Sequence, residues 1–143
     1  MPKAEKIFVV ARPIDAVWEF LSDMVKVGSC LPGCEQVNVL NDSESEWTVK
    51  VKVGPVSKTI QARAHTTEST PPSRAAFVAD APELHLEGSL DLRAVSADQT
   101  EVVYKSTAKA RGPLEKLLEQ VVASRLNGDA EAFANNVRGR LEG

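Results

Sequence analysis

The chain has 143 residues, of which 43% are hydrophobic, enough for one compact domain whose core needs no disulfide bonds. Its net charge of -3 comes from 17 basic and 20 acidic residues mixed along the sequence, which excludes the basic field that nucleic-acid binding requires. No stretch approaches the ~18 consecutive apolar residues of a transmembrane helix and no secretion signal is present, so we expect a cytoplasmic protein that associates at most peripherally with the inner membrane.

The sequence begins with a predicted strand over residues 3–12, KAEKIFVVAR. Pro13 follows where a helix can start, because the first turn of a helix does not use the N–H that proline lacks. The next apolar residues have the i, i+3, i+4, i+7 spacing of a short amphipathic helix: Ile14, Val17, Trp18 and Leu21. A second, weaker helical segment is predicted over residues 23–30.

From residue 46 the apolar period changes from that of a helix to that of a strand. The segment EWTVKVKV alternates apolar and polar side chains, which is typical of a sheet packed on one face only. Gly54 and Pro55 favour a tight reversal into the next predicted strand, VSKTIQARAHT. Three further strands are predicted, over residues 73–80, 83–93 and 100–110.

The last thirty residues predict one long helix, about 40 Å in length at ~1.5 Å per residue. Its apolar stripe consists of Leu114, Leu117, Leu118, Val121, Val122, Leu126, Ala130, Phe133, Val137 and Leu141. A half-polar sheet needs a cover on its apolar face, and this helix is the only predicted element of sufficient size. We therefore predict a single α+β domain over residues 1–143 with the helix-grip fold. Its antiparallel sheet of about six or seven strands wraps around the long C-terminal helix, and two short helices follow strand 1.

Two segments carry a resemblance to a known family. ARPIDAVWEFLSDMVKVGSCLPGCEQV resembles the N-terminal signature of the carbon monoxide dehydrogenase G-subunit family, and VKVKVGPVSKTIQARA resembles the Val-Gly-Pro-Val hairpin of that family. The most specific motif is Leu31-Pro32-Gly33-Cys34-Glu35. That family belongs to the SRPBCC (START-like) superfamily, whose members share the helix-grip fold.

The resemblance implies an accessory role beside a molybdenum hydroxylase of the aerobic carbon monoxide dehydrogenase type. The role would be maturation, membrane recruitment or delivery of a lipophilic electron carrier. Longer members of the family continue into a linker and an apolar C-terminal tail, whereas this sequence ends at Gly143. We therefore expect a carrier or binding domain without tail-mediated anchoring.

The predicted inner face of the sheet carries small residues: Ala62, Ala64, Gly88, Ser106 and Ala108. An empty pocket of about 300 Å³ would cost roughly 7 kcal/mol, so either a ligand or water fills it or the helix collapses onto the sheet. The residues predicted to line a hydrophobic cavity are Trp18, Leu31, Trp47, Ile60, Ala62, Phe77, Leu86, Tyr104, Ser106, Leu118, Val121 and Val122. The alternative is that these side chains pad a closed core.

Two hydroxyls are predicted to point inward from the last strand, those of Tyr104 and Ser106. A buried hydroxyl needs a hydrogen-bond partner. That partner is the polar end of a mostly apolar ligand in one interpretation, and a backbone carbonyl or a water molecule in the other.

No catalytic or metal site is predicted. Glu83, His85 and Glu87 alternate on one strand face, but no second histidine completes a zinc site, and a solvated sheet face has the same pattern. Cys30 and Cys34 lack the Cys-x-x-Cys spacing of redox and metal sites. We interpret them as small, semi-buried structural thiols beside a Leu-Pro-Gly turn, and expect serine at both positions to leave folding and binding largely intact.

The functional prediction is a non-enzymatic protein that binds a lipid- or quinone-like molecule and needs no cofactor. One alternative is a cyclase- or dehydratase-type enzyme, which would need an acid or base inside the cavity, whereas nearly every Asp, Glu and His is predicted to face outward. Another is a protein-interaction module that forms a homodimer.

Overall fold

The computed structural model describes residues 2–53 and 55–143. Within them lie seven strands and three helices: β1 (Lys3–Val10), α1 (Ile14–Leu21), α2 (Met24–Cys30), β2 (Cys34–Val39), β3 (Glu44–Val53), β4 (Val56–Thr70), β5 (Arg74–Asp80), β6 (Leu84–Ser96), β7 (Gln99–Ala110) and α3 (Glu115–Glu142). This order confirms the predicted α+β helix-grip architecture.

The strands form one antiparallel sheet in the order β1-β7-β6-β5-β4-β3-β2. The first two strands of the chain therefore lie at opposite edges of the sheet, and α1 and α2 connect them. Lys52 on β3 pairs with Ser57 on β4, as expected for a tight reversal, while the predicted turn residue Gly54 lies outside the described residues.

The two short helices begin at polar or helix-starting residues. Pro13 immediately precedes α1, and its carbonyl accepts hydrogen bonds from the backbone N–H groups of Ala16 and Val17 at 3.0 and 3.1 Å. Asp23 caps α2 because its carboxylate accepts from the N–H groups of Val25 and Lys26 at 3.1 and 3.2 Å. The two helices start within one residue of their predicted positions.

The Leu-Pro-Gly segment is a β-turn that leads from α2 into β2. The N–H of Cys34 donates to the carbonyl of Leu31 at 3.3 Å, and Gly33 has a φ of 81°, the conformation that a type II turn requires after proline. The N–H of Lys50 then donates to the Gly33 carbonyl at 2.8 Å. This bond fixes the turn against β3.

One part of α3 closes a hydrophobic core against the sheet and α1. The fully buried members include Val10, Val17, Val102, Phe133 and Val137. The 28 residues of α3 span about 42 Å, so the helix extends well beyond this core. The remaining part of α3 therefore covers a different region of the sheet.

Two members of the predicted apolar stripe of α3 are exposed to solvent. Leu114 is 50% exposed and Leu117 is 46% exposed, so their assignment to the stripe is wrong. Leu114 precedes the helix and has non-helical backbone angles, while Leu117 lies about 100° around the helix from Leu118, which is buried.

Candidate ligand-binding cavity

A cavity of about 740 Å³ lies between the inner face of the sheet and α3. Its walls come from strands β3 to β7, from α1 and α2, and from the Leu31–Cys34 turn. Alternating residues of β3 point into it, among them Trp47 and Val49, as the period of two predicts. The helix therefore does not collapse onto the sheet, and the closed-core alternative is wrong for this half of the molecule.

Most of the predicted cavity residues line this space: Trp18, Leu31, Trp47, Ile60, Ala62, Phe77, Leu86, Tyr104, Val121 and Val122. Trp47 is held in the wall because its indole N–H donates to the hydroxyl of buried Ser45 at 2.7 Å. The structure shows where these side chains lie, whereas their role in ligand binding stays a prediction.

Ser106 and Leu118 were predicted to line the cavity, but neither borders it. Leu118 is buried, 2% exposed, but does not border the cavity. Ser106 borders a separate, shallow depression of about 260 Å³ on the sheet. Ala76 and Phe77 belong to both linings.

Gly88 does not contribute empty space, contrary to the prediction from small inner-face residues. It pairs with Phe77 across β5 and β6, and a Cβ atom added at Gly88 would overlap the Phe77 ring. The glycine therefore makes room for an aromatic side chain. Ala62, Ala64 and Ala108 do line the cavity.

Tyr104 stands at the boundary between the cavity and the closed core. Its ring lies 5.3 Å from the ring of Phe133, centroid to centroid, with the planes inclined at 48°. Burial raises the pKa of the Tyr104 phenol, so this group is neutral at physiological pH. The predicted inward direction of Tyr104 is confirmed.

Titratable residues also border the cavity, although nearly every Asp, Glu and His was predicted to face outward. They are Asp42, Glu44, Lys50, Lys52, His65, Arg125 and Asp129. Burial raises the pKa of the Asp129 carboxyl, while the positive charge of Arg125 acts in the opposite direction. The sequence did carry a signal for Asp129, because it precedes Phe133 by four residues and follows Val122 by seven, spacings that place all three on one helix face.

The two cysteines have different surroundings. Cys30 is 1% exposed and belongs to the closed core, whereas Cys34 is half-buried and lines the cavity. Both are free thiols, and burial raises the pKa of each, so neither is an activated thiolate. Cys30 is thus more deeply buried than predicted.

The remaining titratable clusters lie on the outer surface. The Nδ1 atom of His85 lies 2.7 Å from a carboxylate oxygen of Asp80, in the surface pattern predicted for that strand face. Within residues 2–53 and 55–143, no group of three or more His, Cys, Asp or Glu side chains is arranged to hold a metal ion.

Solved structures share this fold over nearly the whole chain. A conserved protein from Geobacillus kaustophilus has a TM-score of 0.83 at 15% identity, covering 98% of this chain and 95% of that one. A START superfamily protein from Mycobacterium smegmatis has a TM-score of 0.76 at 14% identity, covering 98% and 97%. The Zhui aromatase/cyclase from Streptomyces sp. R1128 has a TM-score of 0.71 at 23% identity, covering 98% and 93%.

The similarity to these structures shows that the chain has the START-like, helix-grip fold. The family model for the G subunit of carbon monoxide dehydrogenase (CoxG) matches residues 7–142, and the chain belongs to that family. This confirms the resemblance seen in the sequence. A comparison with curated proteins gives no significant match.

None of the helices in the described part of the chain is long and apolar enough to cross a membrane.

Proposed function

We propose that this protein binds a lipophilic, lipid- or quinone-like molecule in its cavity and acts as a non-enzymatic accessory to a molybdenum hydroxylase of the aerobic carbon monoxide dehydrogenase type. The observation that carries the proposal is the cavity of about 740 Å³ between α3 and the sheet. Ligand pockets for small molecules typically enclose about 300–1,000 Å³. The volume therefore suits a molecule with one or two rings and an apolar tail.

The energetics of the cavity favour an occupant. At about 24 cal/mol per Å³, a dry void of this size would cost more than the ~5–15 kcal/mol net stability of a typical domain. Water is a poor filler beside Trp18, Trp47, Phe77 and Leu86, since these side chains offer it few hydrogen bonds. A lipophilic ligand would remove the same apolar surface from water.

Membership of the CoxG family supports the accessory role, because the family is named as a subunit of carbon monoxide dehydrogenase. Of the three roles considered, delivery of a lipophilic electron carrier is the one that uses the cavity directly. Maturation and membrane recruitment would leave it without a purpose. We therefore favour delivery of the carrier.

A cyclase- or dehydratase-type enzyme is the second candidate, and Asp129 is the observation that favours it. Asp129 borders the cavity, and its raised pKa is a property of many general acids and bases. One of the similar structures is named an aromatase/cyclase. The distinguishing result would be turnover: an enzyme changes the bound molecule, whereas a carrier releases it unchanged.

The chain contains two tryptophans, Trp18 and Trp47, and both border the cavity. Their fluorescence therefore reports directly on its occupation. Native mass spectrometry and organic extraction of the purified protein should identify a retained lipophilic molecule. Titration of the extracted protein with 1,4-naphthoquinone, a strong quencher, should then lower the tryptophan emission in a saturable manner. Two results together would contradict the proposal. The purified protein would yield no lipophilic molecule on extraction, and its tryptophan emission would show no saturable change with naphthoquinone or a fatty acid.

A further inference from the structure

Asp129 is a carboxylate on the wall of a largely apolar cavity. It lies in the middle of α3, beside the apolar lining residues Leu126 and Ala130, and it is half-buried. Among the described residues it forms no hydrogen bond and no ion pair, although Arg125 lies one turn away on the same helix. A carboxylate removed from water in this way is costly unless a donor satisfies it.

Tyr104 borders the same part of the cavity from the opposite wall. Asp129 and Phe133 are one turn apart on α3, and the Tyr104 ring packs against Phe133. Burial raises the pKa of the Tyr104 phenol and the negative charge of Asp129 adds to this, while the Ser106 hydroxyl acts in the opposite direction. A neutral phenol and a carboxylate thus border one region of an otherwise apolar space.

The charges around Asp129 determine which donor suits it. The positive charge of Arg125, which also lines the cavity, offsets part of the attraction between Asp129 and an ammonium group, and an ammonium group must also lose its water to enter an apolar cavity. A hydroxyl has no such cost, because it can donate to the Asp129 carboxylate and accept from the Tyr104 phenol. A carbonyl group offers the carboxylate no proton.

We propose that Asp129 and Tyr104 form a hydroxyl-binding site inside the cavity, so that the protein prefers a lipophilic alcohol or phenol over the same molecule without the O–H donor. The inference deepens the proposed function and rests on it. For a carrier whose oxidised form has carbonyls and whose reduced form has hydroxyls, the site would favour the reduced form.

A set of three naphthalenes tests this site by isothermal titration calorimetry: 1-naphthol, 1-methoxynaphthalene and 1-naphthylmethylamine. Apolar burial alone would favour the methyl ether, which is the more apolar molecule. We expect 1-naphthol to bind about 10-fold more tightly than the ether, a typical effect of one hydrogen bond to a charged acceptor, and more tightly than the amine. Equal binding of naphthol and ether, or tighter binding of the amine, would overturn the site.

Substitutions show which residues cause the preference for naphthol over its ether. Asp129→Ala should reduce the naphthol-to-ether preference to about 2-fold or less, whereas Tyr104→Phe should weaken both ligands, because the ether oxygen can also accept from the phenol. Glu131→Ala is the matched control, because Glu131 is exposed on the same helix and does not border the cavity. A preference that persists in Asp129→Ala would contradict the assignment. If none of the three compounds bound the wild-type protein, the apolar cavity itself would fail as a binding site, and the inference would fall with the proposed function.

Discussion

The rings of Tyr104 and Phe133 lie 5.3 Å apart at an angle of 48°, and this contact separates two regions of the inner face of the sheet. On the Phe133 side, α3 packs tightly on the sheet and α1. On the Tyr104 side, the helix stands away from the sheet and the cavity begins. One helix therefore stabilises the fold with one half and covers the cavity with the other.

Substitutions at this contact should separate the two roles. Tyr104→Phe keeps the ring contact, so thermal unfolding should stay close to that of the wild type, while the affinity for 1-naphthol falls about 3- to 10-fold with the loss of one hydrogen bond. Phe133→Ala removes a ring that is 2% exposed and should cost about 3–5 kcal/mol of unfolding free energy. Calorimetry and urea denaturation measure both effects, and an unchanged naphthol affinity in Tyr104→Phe would eliminate the role of the phenol.

A larger side chain on the cavity wall should reduce the cavity volume without disturbing the closed core. Ala62 lies on β4 opposite Trp47 and points into the cavity, so Ala62→Phe should fill part of it and lower the affinity for 1-naphthol more than about 10-fold. The new ring enters empty space, and the unfolding free energy should therefore not fall. Ala123→Phe is the control, because Ala123 is exposed on α3 outside the lining. Unchanged binding in Ala62→Phe would place the ligand elsewhere.

The turn that carries the most specific family motif should depend on its glycine. Gly33 has a φ of 81°, and a Cβ atom there would lie 2.6 Å from the carbonyl oxygen of Lys50. Gly33→Ala should therefore destabilise the protein by about 1–3 kcal/mol. Gly128→Ala in α3 meets no atom within 4 Å and should instead stabilise it by about 0.5–1 kcal/mol. Urea denaturation would decide, and equal effects of the two substitutions would contradict the structural role of Gly33.

The cysteines should respond unequally to serine. Cys30 is 1% exposed in the closed core, so Cys30→Ser buries a hydroxyl there and should cost about 1–3 kcal/mol. Cys34 is only half-buried beside the cavity, and Cys34→Ser should change the stability by less than about 0.5 kcal/mol. The expectation that both substitutions are harmless is thus revised for Cys30. Thermal unfolding of the two single variants tests this, and a Cys34→Ser variant that lost more stability than Cys30→Ser would reverse the assignment.

The sequence predicted those features that depend on local periodicity. The alternation in EWTVKVKV placed Trp47 and Val49 on the inner face, and the helical spacing around Trp18 placed that residue toward the core. Features that depend on distances between elements were missed. Ser106 has the correct strand phase for the cavity, but it does not border it.

Asp129 was missed for a different reason. Its helical phase agreed with the apolar stripe of α3, but a charged residue was assumed to face water, as most do. The cost of its burial is visible only when the surrounding apolar wall is known. Such a conflict between residue type and position is expected at functional sites, which often lower the stability of the folded state.

The pH dependence of stability should show this cost directly. Burial raises the pKa of Asp129 above its ordinary value of 3.8, so the folded state binds the proton more tightly than the unfolded state, and the free energy of unfolding falls as pH rises through the folded pKa. Asp129→Asn removes this loss and should raise the midpoint of thermal unfolding at pH 7, with the gain shrinking as the pH falls toward 3.8.

Asp80 is the control of opposite sign, because its hydrogen bonds from His85 and Arg111 lower the pKa of its carboxyl. Asp80→Asn should therefore lower the midpoint at pH 7, and this loss should also shrink in acid. A lower midpoint for Asp129→Asn at pH 7 would mean that Asp129 is satisfied within the protein and leaves no acceptor for a ligand.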